Sequence, residues 1–366
     1  MDMDEKFMRE ALDLAGKGLG KTSPNPVVGA VIVRDGRVIG RGYHQRAGEN
    51  HAEINAINSA TESVEGATMY VSLEPCSHYG KTPPCADKLI EMKFGRVVAA
   101  MEDPNPKVAG KGMEKLRAAG IQTETGVLKR EAMKLNEVFL KFITTRTPFV
   151  HLKTAMSADG KIATSTGESR WISCEESRLE THSLRGIYAG IMAGVQTVIA
   201  DDPELTCRKE NCTNPLRIIV DSTLRIPLES KVLKNQDEAP TVIATTHRAD
   251  EEKMKALSAM GIQLLMIPER NGRVNLRVLM ETLGTHGVDS VLLEGGSTLN
   301  YSALEEGIVD KASIYIAPII IGGAGAPSPV GGEGIHKLDM AYRLKDITCG
   351  SIGSDFKIEG YIDKEV

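Results

Sequence analysis

Apolar residues recur at helical spacing from the start of the chain. Phe7, Met8, Ala11, Leu12, Leu14 and Ala15 share one face of residues 4–17, which predicts an amphipathic helix. Two β-rich runs follow, 27–34 and 37–43, joined by Asp35-Gly36, a dipeptide suited to the tight turn of a hairpin. The pattern then alternates: a helix from about His51, a strand over 69–73, a helix beginning near Pro84, a strand over 96–100, a further helix and a short strand over 121–125. Such alternation predicts a three-layer α/β domain. A helix ending near Phe142 runs into Thr144-Thr145-Arg146-Thr147-Pro148. This polar stretch closed by proline places a boundary between domains of residues 1–146 and 147–366. Beyond it, apolar runs at 149–155, 188–194, 216–220, 241–244, 263–267, 290–293 and 313–320 alternate with helical segments and predict a second α/β sheet.

A length of 366 residues accommodates two such cores. The balance of 44 Lys and Arg against 49 Asp and Glu gives a formal charge of −5. That argues against a dedicated nucleic-acid binder and leaves room for a small anionic substrate. The opening Met-Asp-Met-Asp-Glu-Lys is acidic with no apolar run behind it, so neither a secretory signal nor a transit peptide nor a membrane span is expected, and a cytoplasmic protein is. Six scattered cysteines favour metal binding or free thiols over a disulfide framework. Cys174, Cys207, Cys212 and Cys349 are left without a role.

The chemistry concentrates at His51-Ala52-Glu53 and at Pro75-Cys76, with Cys85 nine positions beyond Cys76. His51, Cys76 and Cys85 offer three N/S donors, the number that a catalytic zinc takes while leaving a fourth position to water. Glu53 is then free to move protons, which is the pattern of a zinc deaminase. Positions i and i+2 do not share a face in mid-helix, so His51 and Glu53 can converge only at a helix N-terminus, with Asn50 as the expected N-cap. Pro83 and Pro84 suit the start of another helix. Cys85 in its first turn has its thiolate favoured by the helix dipole. Zinc brings the pKa of its water from about 15.7 towards roughly 7, so hydrolytic deamination by zinc hydroxide is the expected reaction. A closed zinc staple, with His44 or His78 as fourth ligand, is the alternative, and it has no use for Glu53.

In the second half no G-x-G-x-x-G follows a strand, so a Rossmann site is not supported. The run 290–300 reads instead as a buried strand, the turn Gly295-Gly296 and a helix start, which presents free backbone N–H groups to an anion. Gly322-Gly323-Ala324-Gly325 lacks a following Lys-Ser/Thr and reads as a flexible connection.

Between Cys76 and Cys85 stand eight residues where nucleobase deaminases usually have two. The run EPCSHYGKTPPC (74–85), with HAE before it and DPNP (103–106) after it, resembles the bifunctional deaminase-reductases of riboflavin biosynthesis, as do KTAMSADGKIAT (153–164), GESRW (167–171), ADDPELTCR (200–208) and IVDS (219–222). The resemblance covers nearly the whole chain. It implies a cytidine-deaminase-like N-terminal domain and a dihydrofolate-reductase-like C-terminal domain, with Zn2+ and NADPH as cofactors, in a homo-oligomer that engages neither nucleic acid nor membrane. The first domain would deaminate 2,5-diamino-6-(5-phosphoribosylamino)pyrimidin-4-one, and the second would reduce the ribosyl group to ribityl, giving 5-amino-6-(5-phosphoribitylamino)uracil.

Residue by residue, the resemblance gives Asn25, His44, Lys81 and Asn105 to the deaminase substrate. It gives Ala155, Trp171, Thr197, Asp201, Ser222 and the run Gly296, Ser297, Thr298, Leu299, Asn300, Tyr301 and Ser302 to NADPH. Lys153, Ser169, Arg185, Leu205, Arg208 and Glu294 go to the reductase substrate. Guanidinium groups at Arg185 and Arg208 suit a ribose phosphate. Two rivals stand beside this reading: a deaminase of tRNA or free nucleobases with a merely binding second domain, disfavoured by the insertion and the acidic balance, and a ligand sensor on a zinc-stabilised fold, disfavoured by Glu53.

Overall fold

In the first of two compact units, Met1–Arg146, the elements run α1 (Met3–Gly16), β1 (Gly29–Arg34), β2 (Arg37–Tyr43), α2 (Ala52–Asn58), β3 (Thr68–Val71), α3 (Cys85–Glu91), β4 (Arg96–Ala99), α4 (Lys111–Ala118), β5 (Gln122–Thr125), α5 (Lys129–Leu135) and α6 (Glu137–Thr145). The structure, a computed structural model, describes residues 2–77, 83–105, 109–210 and 212–364. The sheet has the order β2-β1-β3-β4-β5. β1 is antiparallel to both its neighbours, and β3, β4 and β5 are parallel. Strand alternation sorts side chains into two cores. Ala30, Ile32, Met69, Val71 and Val97 meet Ala52 and Ala56 of α2, Leu89 of α3 and Leu116 of α4, while Val31, Val33, Tyr70 and Val98 meet Phe7, Met8 and Ala11 of α1 and Ala132 of α5. At Gly42 the sheet has no room for a side chain, since a Cβ there would stand 2.2 Å from the Ala56 nitrogen. That close approach brings α2 down onto β2 and fixes its N-terminus.

The second unit, Thr147–Val366, contains β6 (Phe149–Ser157), α7 (Glu175–Arg185), β7 (Gly190–Gly194), α8 (Val195–Asp201), β8 (Leu216–Val220), β9 (Thr241–Thr245), α9 (Glu251–Ala259), β10 (Gln263–Met266), the short pair β11 (Glu269–Arg270) and β12 (Arg273–Val274), α10 (Leu276–Thr285), β13 (Ser290–Leu293), α11 (Ser297–Glu305), β14 (Lys311–Ala317), β15 (Leu344–Ile352) and β16 (Asp355–Ile362). Its nine strands are ordered β10-β9-β8-β7-β13-β6-β14-β16-β15, parallel from β10 to β14 and antiparallel at β16 and β15. One face packs on α10 and α11 through Leu279, Leu283, Leu299 and Ala303.

Under α7 the interior is polar. His151 is buried between Tyr188 Oη (2.6 Å) and Ser313 Oγ (2.8 Å), and Ser313 Oγ donates to Glu359 (2.9 Å), which also pairs with Lys311 and Lys357. Burial pushes the His151 imidazole down to about 3. The unfolded chain takes up that proton at about 6.5 and the folded chain does not until near 3, so the stability this group contributes is complete above about 6.5 and is lost as pH falls towards 3. The stability penalty of His151→Phe is therefore expected to be largest near neutral pH and to shrink on acidification, as read from thermal unfolding of both proteins across that range.

Away from the deaminase cluster the structure corrects three expectations. The helix expected to end near Phe142 runs on to Thr145 and stops at Arg146, whose φ of 60° leaves the helical region; the Thr144 and Thr145 hydroxyls are satisfied inside it by donating back to the Leu140 and Lys141 carbonyls. Cys207 and Cys212, expected to be without a role, form a disulfide across a Cα separation of 6.3 Å. Gly186 packs against that bridge so closely that a Cβ there would lie 2.4 Å from Cys212 Sγ. The glycine run after Ile321 is tethered, since Asp159 accepts from the Ile321 and Gly322 amides at 3.0 and 2.6 Å.

Candidate functional site

His51, not Asn50, occupies the N-cap of α2, in extended backbone (φ −68°, ψ 162°). Being outside the helix, its ring is free of the helical repeat, and Glu53 in the first turn reaches the same place. The Asn50 carbonyl instead faces His44 Nδ1 at 3.1 Å and accepts from Asn55 at 3.4 Å. Pro84 caps α3, which puts Cys85 at the first helical position, and the Cys85 amide donates to Cys76 Sγ at 3.2 Å.

His51 Nδ1 lies 3.6 Å from Cys76 Sγ and 3.3 Å from Cys85 Sγ. All three ligand atoms fall within 4.8 Å of one another, and the cluster fits a tetrahedral cation of borderline softness that takes nitrogen and sulfur. Glu53 is 3% exposed. Burial first, and the Cys76 sulfur second, push its carboxyl up to about 7, where it can both take and give a proton. His44 is also buried, with Nε2 3.3 Å from Asn25 Nδ2 and its ring 5.7 Å from that of His51. Asn25 and His44 are thus brought to the cluster. Lys81, and His78 as a fourth ligand, lie outside the described residues.

One residue of this site escaped the sequence reading. Glu74 is 5% exposed and accepts four backbone hydrogen bonds: from Asp103 (3.1 Å) and Gly110 (2.9 Å) on Oε2, and from Gly112 (2.7 Å) and Met113 (3.3 Å) on Oε1. Its only sequence signal was its place beside Pro75-Cys76.

In the second unit a cavity of about 700 Å³ opens at the C-terminal ends of β7, β8 and β13, where α/β sheets bind their ligands. Ser169, Thr197, Asp201, Ser222, Gly296, Ser297, Thr298, Leu299 and Ser302 line it. Gly296 is the N-cap of α11, with no side chain capping the first amides. A Cβ on Gly296 would meet Thr197 Oγ1 at 2.9 Å. Arg225, Arg248 and Arg273 stand on the same cavity beside Ser222.

Other expected cofactor positions are not among its lining residues. Asn300 is buried and donates to the Pro329 carbonyl at 2.8 Å, and Tyr301 Oη reaches Glu305 and the Gly334 carbonyl. Trp171 is 67% exposed, so it does not fill a core, and Arg178 stacks 4.7 Å from its ring centroid. Ala155 sits in β6 opposite Tyr315 of β14.

Of the expected substrate residues, Arg185 and Glu294 form a bidentate pair at 2.7 and 2.9 Å, and Arg185 Nη1 also donates to the Thr206 carbonyl at 3.1 Å. Burial works to raise the Glu294 carboxyl, yet Arg185 holds it below its ordinary value. Burial lowers the Lys153 ammonium against the pull of Glu294, and Lys153 Nζ lies 5.3 Å from the Tyr315 ring centroid. Ser169 donates to Asp201 at 3.2 Å. Leu205 turns its side chain into the core with Val195 and Val198. The Arg208 side chain is 60% exposed and pairs with Glu204 at 3.1 Å.

A three-ligand cluster among the described residues with a buried carboxyl, on a three-layer sheet, defines a deaminase class, and the second unit adds a parallel sheet with a ligand cavity. Residues 1–101 match the family described as the cytidine and deoxycytidylate deaminase zinc-binding region, and residues 148–358 match the RibD C-terminal domain. The chain is similar to the riboflavin biosynthesis protein RibD of Actinobacillus pleuropneumoniae, at 47% identity over 97% of this chain and 94% of that protein, and to that of Escherichia coli, at 41% over 96% and 97%. Its fold is similar to solved RibD from Acinetobacter baumannii, at 37% identity with a TM-score of 0.88 over 99% of both chains. A Thermotoga maritima structure described as a diaminohydroxyphosphoribosylaminopyrimidine deaminase and 5-amino-6-(5-phosphoribosylamino)uracil reductase matches at 35% with a TM-score of 0.88. The chain belongs to the RibD family, and it is a bifunctional enzyme of riboflavin biosynthesis with a zinc-binding deaminase domain and a reductase domain. The deaminase domain is cytidine-deaminase-like and the reductase domain is dihydrofolate-reductase-like. Among the described residues no helix is long and apolar enough to cross a membrane.

Proposed function

We propose that the first unit removes the 2-amino group of 2,5-diamino-6-(5-phosphoribosylamino)pyrimidin-4-one as ammonia, and that the second reduces the ribosyl group of the product to ribityl with NADPH. The observation that carries the first half is the convergence of three N/S donors beside a buried carboxyl. His51, Cys76 and Cys85 would hold zinc, which when bound supplies an acidic water and Lewis acidity. Glu53 would shuttle two protons in turn, the first from the attacking water to the ring nitrogen and the second from the newly added hydroxyl to the amine, which leaves as ammonia. Asn25, His44, Lys81 and Asn105 would hold the pyrimidine or its phosphate.

In the second unit NADPH would lie in the cavity along Thr197, Ser222 and the start of α11, and it supplies the hydride. The amides at the α11 N-terminus suit its phosphates. Lys153, Arg185 and Glu294 orient the opened sugar. The three arginines beside Ser222 favour NADPH over NADH, because an extra ribose phosphate gains charge-assisted hydrogen bonds there. Arg248→Ala combined with Arg273→Ala is expected to raise KM for NADPH by about tenfold or more and to leave NADH nearly unaffected, as steady-state reductase assays with each cofactor would show.

The decisive experiment incubates the purified chain with the diaminopyrimidine ribotide and follows ammonia release, then NADPH oxidation. Deamination of free cytosine or of tRNA in its place would sink this reading.

A further inference from the structure

A buried carboxylate is costly unless new partners replace its water. Glu74 meets that cost with backbone amides drawn from a single stretch of chain. Oε2 takes the Asp103 and Gly110 amides, the two ends of the loop that carries Asn105. Oε1 takes the Gly112 and Met113 amides, which belong to the first turn of α4 and have no side-chain cap of their own. One side chain therefore closes the loop and caps the helix that follows. Glu74 is also covalently tied to the metal cluster, since Pro75 and Cys76 come next. No slack is left between the two segments: a Cβ on Gly112 would stand 2.0 Å from the Pro75 carbonyl oxygen. Within the loop, the Asn105 amide donates to Asp103 Oδ1 at 2.8 Å and the Asn105 carbonyl accepts from Ala109 at 2.9 Å, so a shift at either grip reaches Asn105 through short links.

We propose that Glu74 is a positioning residue of the deaminase step, setting the placement of Asn105 against Cys76 and hence the fit of the pyrimidine. The proposal rests on the reading that Asn105 touches the substrate. A neutral amide at position 74 turns an NH2 towards some of the same donors, which loosens the loop without emptying the space.

The test uses the full chain carrying Glu74→Gln, Glu74→Asp, Asn105→Ala and the Glu74→Gln/Asn105→Ala pair. It measures kcat and KM for ammonia release, zinc content and the reductase rate. We expect Glu74→Gln to raise KM about tenfold or more with zinc and reductase rate unchanged, and Glu74→Asp to raise it less. The double variant should add little to Asn105→Ala, because residues acting through one another are not additive. An unchanged KM in Asn105→Ala would overturn the underlying reading of Asn105. A raised KM there beside a normal one in Glu74→Gln would overturn the role of Glu74 alone. Loss of zinc, or of a folded deaminase half, in both Glu74 variants would overturn it too, by showing a merely structural carboxylate.

Discussion

Glu53→Gln is expected to keep a full complement of zinc while ammonia release falls by about 10²- to 10⁴-fold, the usual contribution of a general acid and base. The amide fills the same space in a pocket where the native side chain is 3% exposed, so packing is preserved and the proton traffic alone is removed. Cys76→Ser tests the complementary part, because it takes away a donor of the cluster and should lose metal and activity together. Metal analysis beside an ammonia assay separates the two outcomes. Near-normal turnover in Glu53→Gln would remove the carboxyl from the mechanism.

The second large effect is expected in the reductase half. Arg185→Ala strands the Glu294 carboxylate, whose side chain is 13% exposed, and leaves the Thr206 carbonyl without its guanidinium donor. Breaking a buried pair from one side costs about 3–5 kcal/mol of stability in this domain, and losing the guanidinium that orients the sugar should lower the reductase kcat/KM by about tenfold to a hundredfold while ammonia release persists. NADPH binding, followed by fluorescence quenching, should survive, since Arg185 does not line the cavity beside α11. Arg208→Ala makes the contrast: its pair with Glu204 is exposed, so its stability cost stays below about 1 kcal/mol and any effect is confined to the reductase substrate.

The legible parts of the chain were those where local chemistry and the global fold agree. Asp35 and Gly36 both adopt the positive φ that the hairpin needs, and the interior parallel strands announced themselves as apolar runs. β15 and β16 did not. β15 is exposed along almost its whole length, and β16 carries Lys357 and Glu359 into a polar interior, so neither shows the alternation that marks a half-buried strand. In the deaminase site, His51, Glu53, Cys76 and Cys85 were legible because metal chemistry restricts residue type and spacing. The N-cap was not, because Asn50 is the better capping residue by preference and position is decided by where the His51 ring must point. Glu74 was hidden for a different reason: its partners are backbone amides about 30 to 40 positions away, and backbone leaves no mark in the sequence.

The order of strands in the two sheets also sets an order of assembly. Every strand of the first sheet lies within residues 29–125, so it can close while the rest of the chain is still being made. In the second sheet, β6 at residues 149–157 waits for β13 and β14 at 290–317, and β14 in turn waits for β16 at 355–362. Such distant pairings are slow and leave strand edges open meanwhile. A chain cut short before Asp355 would then deaminate on a finished first domain and expose the bare edge of β14, making the last strands the point at which synthesis of one polypeptide commits to its second activity.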